Sequence, residues 1–244
     1  MRVAIMQPTY LPWSGYFGLI ESVDLFVFLD NVQFDKRGWQ QRNQIKTANG
    51  PQWLTIPVLS KGVRNQKINQ VKIDSSSKFS DKHIKSISHN YNNAPFYNLI
   101  EKELFNTIHN SSDSLSETNI EIIHTLSKLL GVSTPTISSS ALNCSGIKAD
   151  MLVSICQEVG ASEYLSPPGS RVYLEKSDAF KMAKIPVKYF QFEHPNYQQL
   201  FGDFVENMSV VDILMNCGNQ SLDFIKNGSL LLDEESFTNN VKDS

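Results

Sequence analysis

The chain is short of the residues that announce a metal centre or a cross-linked scaffold. It holds three cysteines, Cys144, Cys156 and Cys217, an odd number with no CxxC pair and no histidine at zinc-ligand spacing from them. Neither a disulfide framework nor a zinc site is indicated, and reduced thiols in a cytosolic protein are the simplest reading. No apolar run approaches the ~18 residues that mark a membrane-spanning helix. The opening residues, MRVAIMQPTYLPW, lack the charged, apolar and small-residue regions of a signal peptide, so a cytoplasmic location is expected. An excess of charge is missing too. The formal net charge is −3 with 19% charged residues, so no basic field advertises nucleic acid or an anionic membrane. An anionic ligand would have to be met by a local pocket. Walker A, GxGxxG, HExxH and GxSxG patterns are all absent, which leaves P-loop, dinucleotide, zinc-protease and serine-nucleophile chemistry without support.

What is present suits one α/β domain: 244 residues, 41% of them hydrophobic, enough to bury a core of their own. Arg2–Met6 is an apolar run rich in β-branched residues that stops at Gln7-Pro8, a strand followed by a proline-containing loop. Gly15–Ser22 has helical spacing. Asp24–Leu29 is a second continuous apolar run, of the kind buried on both faces of a parallel sheet. Together they predict a right-handed βαβ unit. Further strands are expected at Trp53–Val58 and Lys67–Ile73, with a basic loop Lys61–Asn65 between them, and at Thr136–Ser140, Glu163–Leu165 and Val187–Phe192. Helices are expected at Ser80–Tyr91, Ala94–Asn106, around Ile122–Leu130 with Gly131 as its stop, at Asp150–Val159 before Gly160, and at Ser209–Asn216 with Ser209 as N-cap. The predicted layout is a single Rossmann-like α/β domain over residues 1–232, with a helical insertion at about 75–130 and a flexible tail at 233–244.

Open α/β sheets bind ligands beyond the carboxyl ends of their strands. Gln7 and Tyr10 follow the first strand, and the helix that starts at Gly15 aims its amides and dipole at the same crevice, an arrangement that favours phosphate. Asp30 and Asn31 end the second strand. Gln33, Lys36, Trp39, Arg42 and Asn43 come next, a mix of amides, cations and a ring face that suits a nucleotide. Asp30 is a candidate base for a sugar ammonium, weighed against a carboxylate that caps local amides. Lys36 and Arg42 offer a diphosphate clamp, weighed against ordinary surface charge. Trp39 offers a stacking face, weighed against packing. His194, just after the Val187–Phe192 run, is the best placed of five histidines for proton transfer near neutral pH. Ser166 precedes a Pro-Pro-Gly-Ser turn that is either an anion nest or only a turn. The scheme predicts that the end of strand one, the tip of strand two and the Gln33–Asn43 stretch converge on one pocket.

The order strand, proline-rich loop, helix, strand resembles the HIGH-type nucleotidyltransferases. The matching stretch, Pro12-Trp13-Ser14-Gly15-Tyr16, has neither of their histidines, so the resemblance implies their HUP-type fold rather than adenylyl transfer. A closer resemblance covers nearly the whole chain. Met6-Gln7-Pro8, Gly15-Tyr16-Phe17, Asp30, Val32-Gln33-Phe34, Lys36, Gly38-Trp39, Arg42-Asn43 and Thr55-Ile56-Pro57-Val58 carry it, followed by Tyr91, Ala94-Pro95, Tyr164-Leu165-Ser166, Gly169, Tyr173, His194, Tyr197, Ser209, Asp212 and Gly218. This pattern resembles the WbqC-like family, found with genes for bacterial O-antigen and capsule synthesis. Leu11 stands where the family has an aromatic, and Trp39-Gln40-Gln41-Arg42-Asn43 departs from its W-x-N-R-N stretch. The resemblance implies an enzyme that moves an acyl or aminoacyl group, such as glycyl, from a thioester to the amine of a nucleotide-linked amino sugar. Asp30 or His194 is then the base, and Asn43 or backbone amides meet the oxyanion. It implies no bound cofactor, the thiol being carried by coenzyme A or a carrier protein's phosphopantetheine. The partners considered are the nucleotide-linked sugar, that carrier protein and a second copy of the chain, with no nucleic acid and no membrane span. The alternative is a non-catalytic nucleotide- or sugar-binding accessory protein on a degenerate nucleotidyltransferase-like fold.

Overall fold

A computed structural model describes residues 1–59, 62 and 65–233. Its strands are β1 (Arg2–Met6), β2 (Leu25–Phe28), β3 (Arg42–Thr47), β4 (Gly50–Thr55), β5 (Thr136–Ser138), β6 (Glu163–Ser166), β7 (Val187–Phe192) and β8 (Ser229–Leu232). The helices are α1 (Ser14–Glu21), α2 (Phe79–Tyr91), α3 (Tyr97–His109), α4 (Leu115–Leu130), α5 (Ala149–Glu158), α6 (Arg171–Leu174), α7 (Ala179–Met182), α8 (Val210–Cys217) and α9 (Ser221–Gly228). Six strands form one sheet in the order β5-β2-β1-β6-β7-β8, and β3 and β4 pair separately. All neighbours in the large sheet run parallel except β8, which closes one edge antiparallel to β7. The architecture is the expected Rossmann-like α/β arrangement.

The apolar runs of the central strands have a simple cause. Successive side chains point to opposite faces, and both faces of this sheet are covered. Ala4, Phe26, Phe28, Leu165 and Phe190 enter a core shared with α1 to α4, α8 and α9. Val3, Ile5, Val27, Tyr164 and Tyr189 enter a second core with α5, α6 and α7. A fully buried phenylalanine contributes about 1.5–3 kcal/mol before entropy is counted, so strands of four or five residues are held by packing as much as by their ladders. Among the described residues, no helix is long and apolar enough to cross a membrane.

Three local departures from the sequence reading have physical reasons. β3 is a strand where no period is visible, because it forms a hairpin with β4 closed by the Thr47–Gly50 pair, with Gly50 at φ +94°. Ala48-Asn49 form the two-residue loop, and the glycine just after it takes the positive φ at low cost. Lys67–Ile73, expected as a strand, is instead a 3-10 turn over Ile68–Gln70. Its neighbours meet it only at single bridges, Gln33 with Lys67, Val58 with Ile73 and Lys72 with Ser114, so no ladder can form. The element pair α9 and β8 follows α8 without a sequence signal strong enough to expect it. Of the basic loop Lys61–Asn65 only Gly62 and Asn65 are described, and residues 234–244 of the expected tail fall outside the described residues.

Tyr10, just beyond β1, is fully buried, with its hydroxyl 2.8 Å from His83 Nδ1 on α2. Burial pushes His83 down from 6.5 to about 4, against a smaller opposing effect of a hydrogen bond to the Thr55 backbone. The folded protein therefore keeps this ring neutral while the unfolded chain protonates it near 6.5. For a depressed value, the stability is present above the unfolded pKa and lost as pH falls through the folded one. This group should remove about 3 kcal/mol of unfolding free energy between pH 6.5 and pH 4. Urea unfolding midpoints across that range should fall more steeply for the native protein than for His83→Gln; parallel curves would contradict the assignment.

Candidate ligand-binding site

From β1 the chain moves outward to β2 and β5 on one side, then returns to place β6 and β7 on the other. The strand order therefore reverses between β1 and β6. Open α/β sheets form their ligand crevices at such points. A cavity of about 630 Å³ lies at this place, within the usual size of ligand sites. Ile5, Met6 and Leu29 line it from the strand ends, Gln7, Thr9, Asp35, Gly38 and Gln40 from the loops that follow β1 and β2, and Asn43 from the start of β3. Opposite in the topology, Leu152 of α5, the Pro167–Ser170 turn after β6 and Tyr173 of α6 complete the lining, with Trp13, Trp39 and Asn207.

The loops are set by side-chain amides. Asn119 of α4 is completely buried, and its Nδ2 donates to the Pro8 carbonyl at 3.1 Å and the Gln40 carbonyl at 2.7 Å. Asn43 Nδ2 donates to the Leu11 carbonyl at 2.7 Å, and the Tyr10 amide donates to the Trp39 carbonyl at 3.0 Å. These bonds lace the loop after β1 to the turn at Asp35–Gln41. That turn is closed by the Gly38 amide on the Asp35 carbonyl at 2.9 Å and by Gln41 Oε1 accepting from the Arg37 amide at 3.0 Å. Arg37 is left-handed, at φ +67°. A Cβ on Gly38 would stand 2.5 Å from Gln40 Oε1, so the glycine makes room for that carboxamide. Gln40 Nε2 in turn donates to Gln7 Oε1.

Asp30 is buried at the tip of β2, but its carboxylate accepts from Ser139 Oγ at 3.0 Å, from the Ser140 amide at 2.9 Å and from Ser140 Oγ at 2.6 Å. It ties β2 to the turn after β5 and is not part of the cavity lining. Asn31 makes a similar tie, accepting from Ser139 Oγ at 2.9 Å. Tyr10 is engaged with His83, and Ser166, also fully buried, donates to the Pro167 carbonyl at 3.1 Å. Gln33 and Lys36 are exposed, and neither lines the cavity. The Arg42 guanidinium lies 4.3 Å over the Trp53 ring. Gln7, Trp39 and Asn43 do line the cavity. His194 is half-buried beside it, with Nε2 2.9 Å from Asn207 Oδ1 and its ring 5.5 Å from that of Trp13. Leu29 and several residues of the 35–43 stretch reach the cavity with Gln7, whereas Asp30 and Arg42, expected in the same pocket, do not line it.

Trp13 also corrects the picture of an open helix terminus. Its ring packs on Gly15, 2.2 Å from where a Cβ would sit, and meets Phe192 edge-on at 5.3 Å. Trp13, rather than the amides of Ser14 and Gly15, is what the start of α1 presents to the cavity. Residues the sequence reading passed over are Thr9, Asp35, Gln40, Ser170 and Tyr173. Gln40 directly follows Gly38-Trp39 and Tyr173 stands in the family pattern, whereas Thr9, Asp35 and Ser170 carry no signal beyond lying in turns. Asp35 is the one charged side chain of the described lining, which holds no lysine or arginine. Burial raises the phenol of Tyr173, so it faces the cavity neutral. Burial likewise pushes Cys156 up to about 12 and Cys217 up to about 11, so neither offers a thiolate at neutral pH. No cluster of three His, Cys, Asp or Glu suited to a metal occurs among the described residues.

No solved structure matches this chain. The uncharacterized protein Rv1507c of Mycobacterium tuberculosis (strain ATCC 25618 / H37Rv) is 34% identical over 227 residues, which span 92% of this chain and 97% of that protein. The profile of the WbqC-like protein family matches residues 7–224, from the first cavity-lining loop through α8 and into α9. That span holds the loops that line the cavity and every strand but β1 and β8, and the chain belongs to the WbqC-like protein family.

Proposed function

We propose that the protein transfers an acyl or aminoacyl group, such as glycyl, from a thioester to the amine of a nucleotide-linked amino sugar used in bacterial surface polysaccharide. The observation that carries this reading is the division of charge around the switch-point cavity. Its described lining is neutral apart from Asp35, whereas the cations Lys36 and Arg37 stand exposed on the turn that Asp35 begins. A sugar ring with its amine suits the interior, and a diphosphate suits the turn outside. Trp39 is 51% exposed and lies 5.6 Å from Trp53, a ring face offered to a base beyond the phosphates.

In the reaction, Asp35 or His194 takes a proton from the sugar ammonium, and the amine lone pair attacks the thioester carbonyl carbon. The C–N bond forms, and the oxyanion is met by Gln7 Nε2, the end of that amide not engaged by Gln40. The nitrogen then gives up its second proton, the C–S bond breaks, and the thiolate on coenzyme A or a carrier protein takes up that proton and leaves as the thiol. Asp30 serves in this account by holding β2 to the Ser139–Ser140 turn. One observation favours the second reading, a binding protein without catalysis. The Asp35 carboxylate is exposed with no partner to orient it, and His194 faces Asn207 rather than a carboxylate.

Incubation with a uridine diphosphate hexosamine bearing a free amine, together with acyl- or glycyl-loaded coenzyme A or carrier protein, should yield the amide by mass spectrometry. Asp35→Asn should lower turnover by about 100-fold with sugar-nucleotide binding retained. Binding without product across a broad donor panel would contradict transfer and favour the accessory reading. Trp39→Ala should weaken sugar-nucleotide binding about 10-fold in calorimetry, in line with ~1–3 kcal/mol per stacked base, while circular dichroism stays unchanged. Equal affinity in that variant would remove the stacking role.

A further inference from the structure

The strand-end side of the switch-point cavity is hydrocarbon. Met6 at the end of β1 and Leu29 just past β2 both line it, and both are half-buried. The Leu29 amide donates to the Met6 carbonyl at 2.9 Å, so the backbone ladder sets these two residues side by side. Ile5 and Leu152 of α5 complete this lining from the second core.

The carboxyl edge of an open α/β sheet is where polar groups usually meet a ligand. Here several polar residues of that edge are taken up by the fold. Asp30 is held by Ser139 and Ser140, Ser166 by the Pro167 carbonyl and Tyr10 by His83. Asp35 is the one charged side chain of the described lining, and it is exposed, away from the buried Ile5 and Leu152 in character and in place on the chain. Partly exposed apolar side chains gathered in a concave site suit an apolar part of a ligand.

The groups that must meet for transfer make different demands. A sugar ring presents hydroxyls and an amine, which suit Asp35 and the Tyr173 phenol. A glycyl or other aminoacyl group brings an ammonium. Seating that charge on Ile5, Met6, Leu29 and Leu152 would strip its water, with no carboxylate among those four to replace it. A saturated chain gives up no hydrogen bond there and gains by leaving water.

We propose that Ile5, Met6, Leu29 and Leu152 seat the donor's acyl chain, so that the transferred group is an alkanoyl group longer than acetyl rather than a charged aminoacyl group. This rests on reading the cavity as the place of acyl transfer and narrows the class of donor it takes.

Ligand-observed NMR with butanamide, pentanamide, hexanamide and glycinamide tests the seat without sugar, nucleotide or thioester. Affinity should rise about three- to four-fold with each added methylene, and cationic glycinamide should not displace hexanamide. Met6→Gln and Leu29→Gln, each close to the native side chain in size, should weaken hexanamide binding by at least about five-fold with circular dichroism unchanged. The chain-length series on the native protein needs no variant, so it decides the matter even where a variant fails to fold. Affinity independent of chain length, displacement by glycinamide, or native hexanamide affinity in both folded variants would overturn the seat. In the complete reaction, hexanoyl-coenzyme A should be used in preference to glycyl-coenzyme A. The two readings fail separately. Hexanamide bound through Met6 and Leu29 with no amide formed from any donor keeps the seat and removes transfer; transfer that prefers glycyl keeps transfer and removes the seat.

Discussion

Everything about this site follows from the pairing of β1 with a neighbour on each edge. Val3, Ala4, Ile5 and Met6 register with Leu25 to Phe28 of β2, and Arg2, Val3 and Ala4 register with Glu163, Tyr164 and Leu165 of β6, all parallel. Both neighbours end at the same edge of the sheet. The chain after β1 packs α1 against β7, β8 and α9 before it returns as β2, and the chain after β6 leads through α6 and α7 to β7. A cavity at that point is thus a consequence of strand order, and side chains only decide its chemistry.

That chemistry is made rigid by amides rather than by further secondary structure. Asn119 and Asn43 hold carbonyls of the loop after β1, and Gln41 folds the Asp35–Gln41 turn. A second buried polar group fixes the hairpin β3–β4 against the helices. Asp212 of α8 accepts from Tyr91 at 2.8 Å and Tyr197 at 2.7 Å, and the Tyr91 hydroxyl accepts from the Lys46 amide at 3.0 Å. Burial raises Asp212, while the two tyrosine hydroxyls and the nearby Lys46 oppose the shift. Lys46 Nζ reaches the Asp203 carbonyl, which anchors the segment that carries Asn207 to the cavity. Removing such a member leaves an unpaired buried group behind, so these positions act on the site at a distance through its scaffold.

The sequence shows the fold more clearly than the site. β1, α1, β2, α4 with its glycine stop and α8 with Ser209 as N-cap are legible because period and caps agree there. Lys67–Ile73 misleads because alternating apolar residues also suit a segment that packs against α4 and meets Gln33, Val58 and Ser114 only at single bridges. The site blurs for a related reason. A polar residue at a strand end has two outlets, the ligand or the neighbouring loop, and one-dimensional spacing cannot say which. Asp30 turns to Ser139 and Ser140, Ser166 to its own turn and Tyr10 to His83, whereas Gln7, Trp39 and Asn43 reach the cavity.

The central claim is that the β1–β6 switch point seats a sugar nucleotide with its ring inward. A crystal structure of the protein with a uridine diphosphate hexosamine tests it most directly. The account predicts the ring in the cavity beside Asp35 and Tyr173, the diphosphate at the Lys36–Arg37 turn and the base against Trp39. Ligand bound elsewhere on the surface, or lodged in the cavity by its phosphates, would contradict it.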